Sequence, residues 1–274
     1  MPGHQKPQET NLMDATLATE RGEMNQNFVR EACEVMLSGN GQDLHGLTQF
    51  GNSTLYFHLW GGVDHQNDCP SEHFSFNSIY FNHESDPFMV WQLSYELISL
   101  FNGAAELYEK DYRKLSIHEI VLNGEKSRHF DKVDGIGLLG RPCSVGERDR
   151  QLKKALASPP RLGLLVLATE NEDVYHILKY LDAGSNWGNY YKLMETVDSH
   201  CKIRQIEVPD NKANRKRFTM TANNFSMAGF DSRHGFKDQV KGNQNPPMTL
   251  EEGYEYVTGL CKSYLVAAYP QYFK

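Results

Sequence analysis

Apolar positions in the first third of the chain cluster in short aromatic-rich runs, whereas in the second half they recur at helical spacing. Thr54–Trp60 (TLYFHLW) and Phe74–Phe81 (FSFNSIYF) are dense in aromatic and β-branched residues, as strands are. The turn-rich GGVDHQNDCPSE between them reads as a connection. Asp86-Pro87 is a helix start, an N-cap followed by proline at the first helical position. Beyond it Leu93, Leu97, Leu100, Ala104 and Leu107 form an apolar stripe that must face a core. Asn102-Gly103 interrupts that helix, either as a close packing contact or as an early stop. Leu115–Leu122 (LSIHEIVL) predicts a strand that turns at Asn123-Gly124, a hairpin signal. Two strands, a helix and two more strands imply an antiparallel sheet backed by one helix.

Lys132–Arg150, with glycines at 135, 137, 140 and 146 and a proline at 142, reads as a boundary. After it the pattern is helical. Arg148–Ala157 predicts a helix stopped by Pro159-Pro160, and Thr169-x-x-Glu172 matches a capping box ahead of Val174, Ile177, Leu178 and Leu181. Trp187, Tyr190, Tyr191, Met194 and Val197 repeat at helical spacing, and Asn211–Asn223 predicts a basic helix. A second capping box, Thr249-x-x-Glu252, opens a last helix bearing Leu250, Tyr254, Val257, Leu260, Cys261, Tyr264 and Leu265. The fold class is therefore α+β, with a helical bundle as its C-terminal part. Residues 1–25 form a polar tail expected to be flexible, 26–135 an α/β domain, 136–147 a Gly-rich linker and 148–274 a helical domain.

At 274 residues the chain can bury one large core or two modest ones. Its longest apolar run, Leu162–Ala168, is far short of the roughly 20 residues that span a bilayer. The first residues carry neither an apolar secretory core nor a basic amphipathic pattern, so a cytoplasmic, membrane-free protein is expected. Five dispersed cysteines without a CxxC pair point to neither a disulfide framework nor a cysteine zinc site. The net charge is −7, yet Lys202–Lys241 holds nine basic and four acidic residues. That window is +5 and the remainder −12. Such a stripe is either a phosphate-facing surface or a solvated helix face balanced by acidic neighbours.

Gly135–Gly140 matches GxGxxG, but polar HFDKVD precedes it and Arg141-Pro142-Cys143 follows where a helix should be running, so a linker is the better reading. The eleven histidines include no HxH, HxxxH or HExxH spacing, and His65, His73 and His83 with Asp64 and Glu72 could meet at a metal only through the tertiary fold. No metal or cofactor is expected. Trp187, Tyr190 and Tyr191, at i, i+3 and i+4, read as core rather than as a base-stacking platform.

The remaining chemistry sits in the long segment after Asn223. Arg233 offers a planar fork for phosphate or carboxylate, and His234 can move protons near neutral pH. Arg215, Lys216 and Arg217 could add phosphate contacts from the preceding helix, and Asn224 from close by in sequence. Equally, Arg233 and His234 could satisfy loop carbonyls and cap helix ends, as a long loop requires.

Three stretches carry a resemblance: FNGAAELYEKDYRKLSIHEIVLNGE (101–125), NWGNYYKLMETVDSH (186–200), and RFTMTANNFSMAGFDSRHG with NPPMTLEEGYEYVTGLCKSYL (217–235, 245–265). They resemble a family of uncharacterised bacterial proteins whose helical half is similar in arrangement to HEPN domains. HEPN modules of the RNase type cut RNA across a dimer interface with an Arg and a His four to six residues apart. Here no histidine follows Arg204, Arg215, Arg217 or Arg233 at that spacing, and Arg233 and His234 are adjacent. The resemblance thus implies a non-catalytic binding or assembly protein in bacterial stress or defence, with RNA or another protein as partner. Two alternatives stand beside it: a metal-independent ribonuclease using Arg233 and His234, and a purely structural homodimer packed through its last helix.

Overall fold

The structure, a computed structural model, describes residues 33–48, 53–64, 69–127, 130–132, 139–156, 161–236 and 246–273. The 1–25 segment and most of the GxGxxG run, residues 135–138, lie outside them. The N-terminal half is a five-stranded antiparallel sheet in the order β2-β3-β1-β4-β5. Its strands are β1 (Cys33–Ser38), β2 (His58–Asp64), β3 (Cys69–Asn77), β4 (Ser116–Leu122) and β5 (Glu125–Lys126). A short helix, α1 (Gly41–Thr48), follows β1, and α2 (Pro87–Glu106) backs the sheet. The C-terminal half is helical: α3 (Val145–Leu156), α4 (Arg161–Ala168), α5 (Glu172–Asp182), α6 (Trp187–Arg204), α7 (Lys212–Ala222), α8 (Phe225–Ala228) and α9 (Leu250–Ala268).

The expected sheet and its backing helix are present, with two corrections of register. The apolar Leu55-Tyr56-Phe57 is fully buried yet irregular. Its backbone is held by the Thr54 hydroxyl, by Ile79 N–H on Leu55 O at 2.8 Å, and by the Gln151 side chain on Leu55 N–H at 3.1 Å. Aromatic density there marks burial rather than pairing, and β2 begins only at His58. β3 likewise begins five residues before the aromatic run that suggested it and ends four residues before that run does, and Ile79–Phe81 closes as a 3-10 turn.

The helix predicted from Asp86 forms as read: Asp86 accepts the Phe88 N–H at 2.9 Å and Pro87 takes the first position. Gly103 does not stop it. A Cβ at Gly103 would lie 2.0 Å from the Leu178 carbonyl oxygen, so the glycine is where α2 and α5 touch backbone to backbone. The Thr169 capping box is not formed. Asn171 holds the N-cap position of α5 without a side-chain bond, because Thr169 and Asn171 bond back to Val166 O and Leu167 O of α4. The Thr249 box is complete in both directions.

The buried side chains of sheet and helices form one continuous cluster. α2 lies at its centre, buried almost throughout from Val90 to Glu106, and packs on β4, α4 and α5. Stacked rings of Phe76, Phe57 and Phe101, 4.6 and 5.2 Å apart, join the sheet to α2. In the described part of the Gly-rich segment Leu139 is buried, and α3 starts at Val145, three residues before the expected helix start at Arg148. Among the described residues no helix is long and apolar enough to cross a membrane.

Candidate functional site

The basic helix α7 is set by Asn211, whose side chain accepts the N–H groups of Ala213 and Asn214. Phe218 anchors it, fully buried against Trp187, Tyr191 and Tyr256. Arg215 and Arg217, two residues apart, project about 200° apart around the axis. Arg215 turns toward α6 and is gripped by Asp198 and, at 2.8 Å, by Asp210. Burial works against its charge, but the Asp198 bond and the two carboxylates outweigh it and hold its pKa above the ordinary arginine value. Arg217 turns toward α9, 3.3 Å from Glu252 and within weak reach of the Pro246 and Pro247 carbonyls. Glu252 titrates below the usual carboxylate range because it accepts the Thr249 N–H and faces Arg217. Lys216 is exposed and makes no ion pair among the described residues.

The Arg233-His234 pair sits above the first turns of α6. The Arg233 N–H donates to Ala222 O at 2.8 Å. Its guanidinium lies 4.2 Å from the centre of the Tyr191 ring and 3.3 Å from Glu195. This cation–π seat with a carboxylate clamp orients the loop. The His234 side chain is exposed, with no hydrogen-bond partner among the described residues, while its carbonyl accepts from the Ser232 hydroxyl. Asn224 is an N-cap: its side-chain oxygen accepts the N–H and the hydroxyl of Ser226, at 3.1 and 2.9 Å. The sequence candidates therefore occupy three places rather than one cradle: Arg215 against α6, Arg217 against α9, and Arg233 with His234 on the loop. Each of these arginines already holds a carboxylate. Lys237 and Lys241 lie outside the described residues.

Sequence reasoning missed the aromatic members of this loop. Phe225 packs edge-to-face on Phe230 and on Phe236, with centroids 5.4 and 5.6 Å apart. Phe230 is 96% exposed and Phe236 73%. Spaced five and six residues apart they follow neither a helical nor a strand period, so no pattern could single them out. The Trp187, Tyr190 and Tyr191 stripe, read as core, is buried. Tyr191 in addition lends one ring face to Arg233.

Elsewhere, His176 and His200 bring ring nitrogens 3.5 Å apart between α5 and α6, beside Asp173. No group of three or more His, Cys, Asp or Glu converges as a metal site among the described residues. His65 lies outside those residues, and His73 and His83 are exposed. Burial pushes the Cys201 thiol up, and Cys33 up to about 12, which suppresses the reactive thiolate. A groove of about 560 Å³ beside Arg215 is lined by Asp198, Cys201, Lys202 and Asp210. No family model, curated protein or solved structure matches the chain.

Proposed function

We propose that the protein is a non-catalytic binding and assembly module whose contact surface is the loop from Phe225 to Phe236, with a protein as its partner. The observation that carries this reading is the exposure of Phe230 and Phe236 on a segment fixed by other bonds. Solvent-exposed aromatics that cluster and are held in place are typical anchors of protein interfaces. The loop is held by Arg233 on Tyr191 and Glu195, by its N–H on Ala222, and by the Asn224 cap. Such preorganisation lowers the entropy lost on binding. The resemblance to HEPN modules, which act as dimers, leads to the same kind of role.

A ribonuclease built on these residues has less support. A phosphate would have to displace Glu195 from Arg233, Glu252 from Arg217 and two aspartates from Arg215. Among the described residues no carboxylate bonds the His234 ring to orient it as a general base would need.

Two measurements test the reading. Light scattering at tens of micromolar is expected to show self-association that a Phe230→Ser/Phe236→Ser double variant abolishes while its circular dichroism stays unchanged. Labelled RNA incubated with pure protein is expected to survive. Cleavage lost in a folded His234→Ala variant would overturn the proposal in favour of an enzyme.

A further inference from the structure

The structure describes nine arginines, Arg233 of that loop included, and eight of them pair with a carboxylate. Arg113 is the exception: it is exposed and makes no ion pair among the described residues. It lines an open cavity of about 830 Å³ together with Asn40, Gln42, His45, Ser71 and Phe74. That volume falls in the range of small-molecule sites. Its described lining contains no carboxylate and several unused donors. Asn40 accepts the Gln42 N–H through Oδ1, which leaves its amide NH2 group. Ser71 accepts the His73 N–H, which leaves its hydroxyl proton. Phe74 and the edge-on His45 ring, 5.3 Å apart, supply an apolar floor.

The walls are built rather than incidental. Gly61 and Gly62 sit at positive φ where β2 shifts register against β3. A Cβ on Gly62 would lie 2.7 Å from His45 and 2.9 Å from Phe74, so only glycine lets those rings meet. The segment carrying Arg113 is pinned on both sides. Tyr112 is buried with Arg161 over its ring, and Asn102 bonds both the N–H and the carbonyl of Leu115. In a chain of net charge −7, a guanidinium without an ion pair among the described residues, in a donor-lined cavity, is a local exception to the prevailing field.

We propose that this cavity is a binding site for a small organic phosphate, with Arg113 forking the phosphate oxygens, Asn40, Gln42 and Ser71 donating to them, and the His45–Phe74 floor taking the ligand's ring. An arginine fork and converging amide and hydroxyl donors match a phosphate's planar pairs of acceptors.

Isothermal titration at constant ionic strength, with AMP, inorganic phosphate, adenosine and benzoate as probes, tests this. AMP is expected to bind, adenosine to fail for want of the phosphate, and benzoate to bind more weakly than AMP. Arg113→Gln, which removes only an exposed side chain, is expected to melt as the wild type does and to bind AMP at least about tenfold more weakly. Absence of AMP binding, equal binding by the Arg113→Gln variant, or benzoate binding as tightly as AMP would each overturn the proposal.

Discussion

Gly103 illustrates how one residue decides the relation of two helices. Replacing a mid-helix glycine by alanine ordinarily stabilises a helix by about 0.5–1 kcal/mol. Here the new methyl would meet the Leu178 carbonyl oxygen, carbon and Cα at 2.0, 2.7 and 2.9 Å, all of them backbone atoms that cannot swing away. Forcing extra volume into a packed contact costs about 1–3 kcal/mol. The second effect is the larger, so Gly103→Ala is expected to lower the urea midpoint. A midpoint at or above the wild type would show that α2 and α5 do not touch at this residue. Arg233 makes the complementary point. Its type and exposure could be read in the sequence, but its partners Tyr191 and Glu195, some forty residues away, could not. An arginine's role in a fold depends on which carboxylate reaches it, and that is a tertiary fact.

Elements were legible where their ends carried side-chain signals and illegible where only the interior did. α2 and α9 begin at the positions their Asp86-Pro87 and Thr249-x-x-Glu252 signals indicate. β1, the central strand, was missed: CEVMLS mixes Glu and Met with a single β-branched residue, Val35, and its alternate burial appears only once β3 and β4 flank it. Thr169-x-x-Glu172 matches the same motif as Thr249-x-x-Glu252, yet only the latter is a box, because Thr169 still belongs to the end of α4. In α9 the Thr249 hydroxyl accepts the Glu252 N–H at 3.1 Å and Glu252 accepts the Thr249 N–H at 2.8 Å. Removing such a cap costs about 1 kcal/mol. Thr249→Ala is expected to lose that much in chemical denaturation and Thr249→Ser to retain most of it. Equal loss in both would place the stabilisation in the threonine methyl instead.

At the scale of the whole molecule, two buried carboxylates stitch the helices into one body. Glu96 of α2 receives Tyr175 and Lys179 of α5. Asp173 of α5, 2% exposed, receives Tyr264 at 2.5 Å, Tyr269 at 2.6 Å and Arg204 of α6 at 3.0 Å. A buried carboxylate left without such donors would carry a large desolvation cost. His200 borders the second cluster, facing Asp173, Glu172 and His176 on α5, Arg204 on its own helix and the Tyr264 ring on α9. Burial lowers its pKa below the ordinary 6.5; His176 and Arg204 add to the fall, and Asp173 and Glu172 oppose it. Such a histidine takes up its proton more readily in the unfolded chain. Its contribution to stability is therefore full above 6.5, declines as pH falls through that value, and is lost once pH passes the lower folded-state value. His200→Gln, which keeps a polar side chain but cannot titrate, is expected to flatten the fall of melting temperature with acidification just below pH 6.5. His176→Gln, by removing a neighbour that opposes protonation, is expected to bring the folded-state value closer to 6.5 and shrink the same fall. An acid profile of the His200→Gln variant that superimposes on the wild type would show that protonation of this helix junction does not govern the stability of the whole.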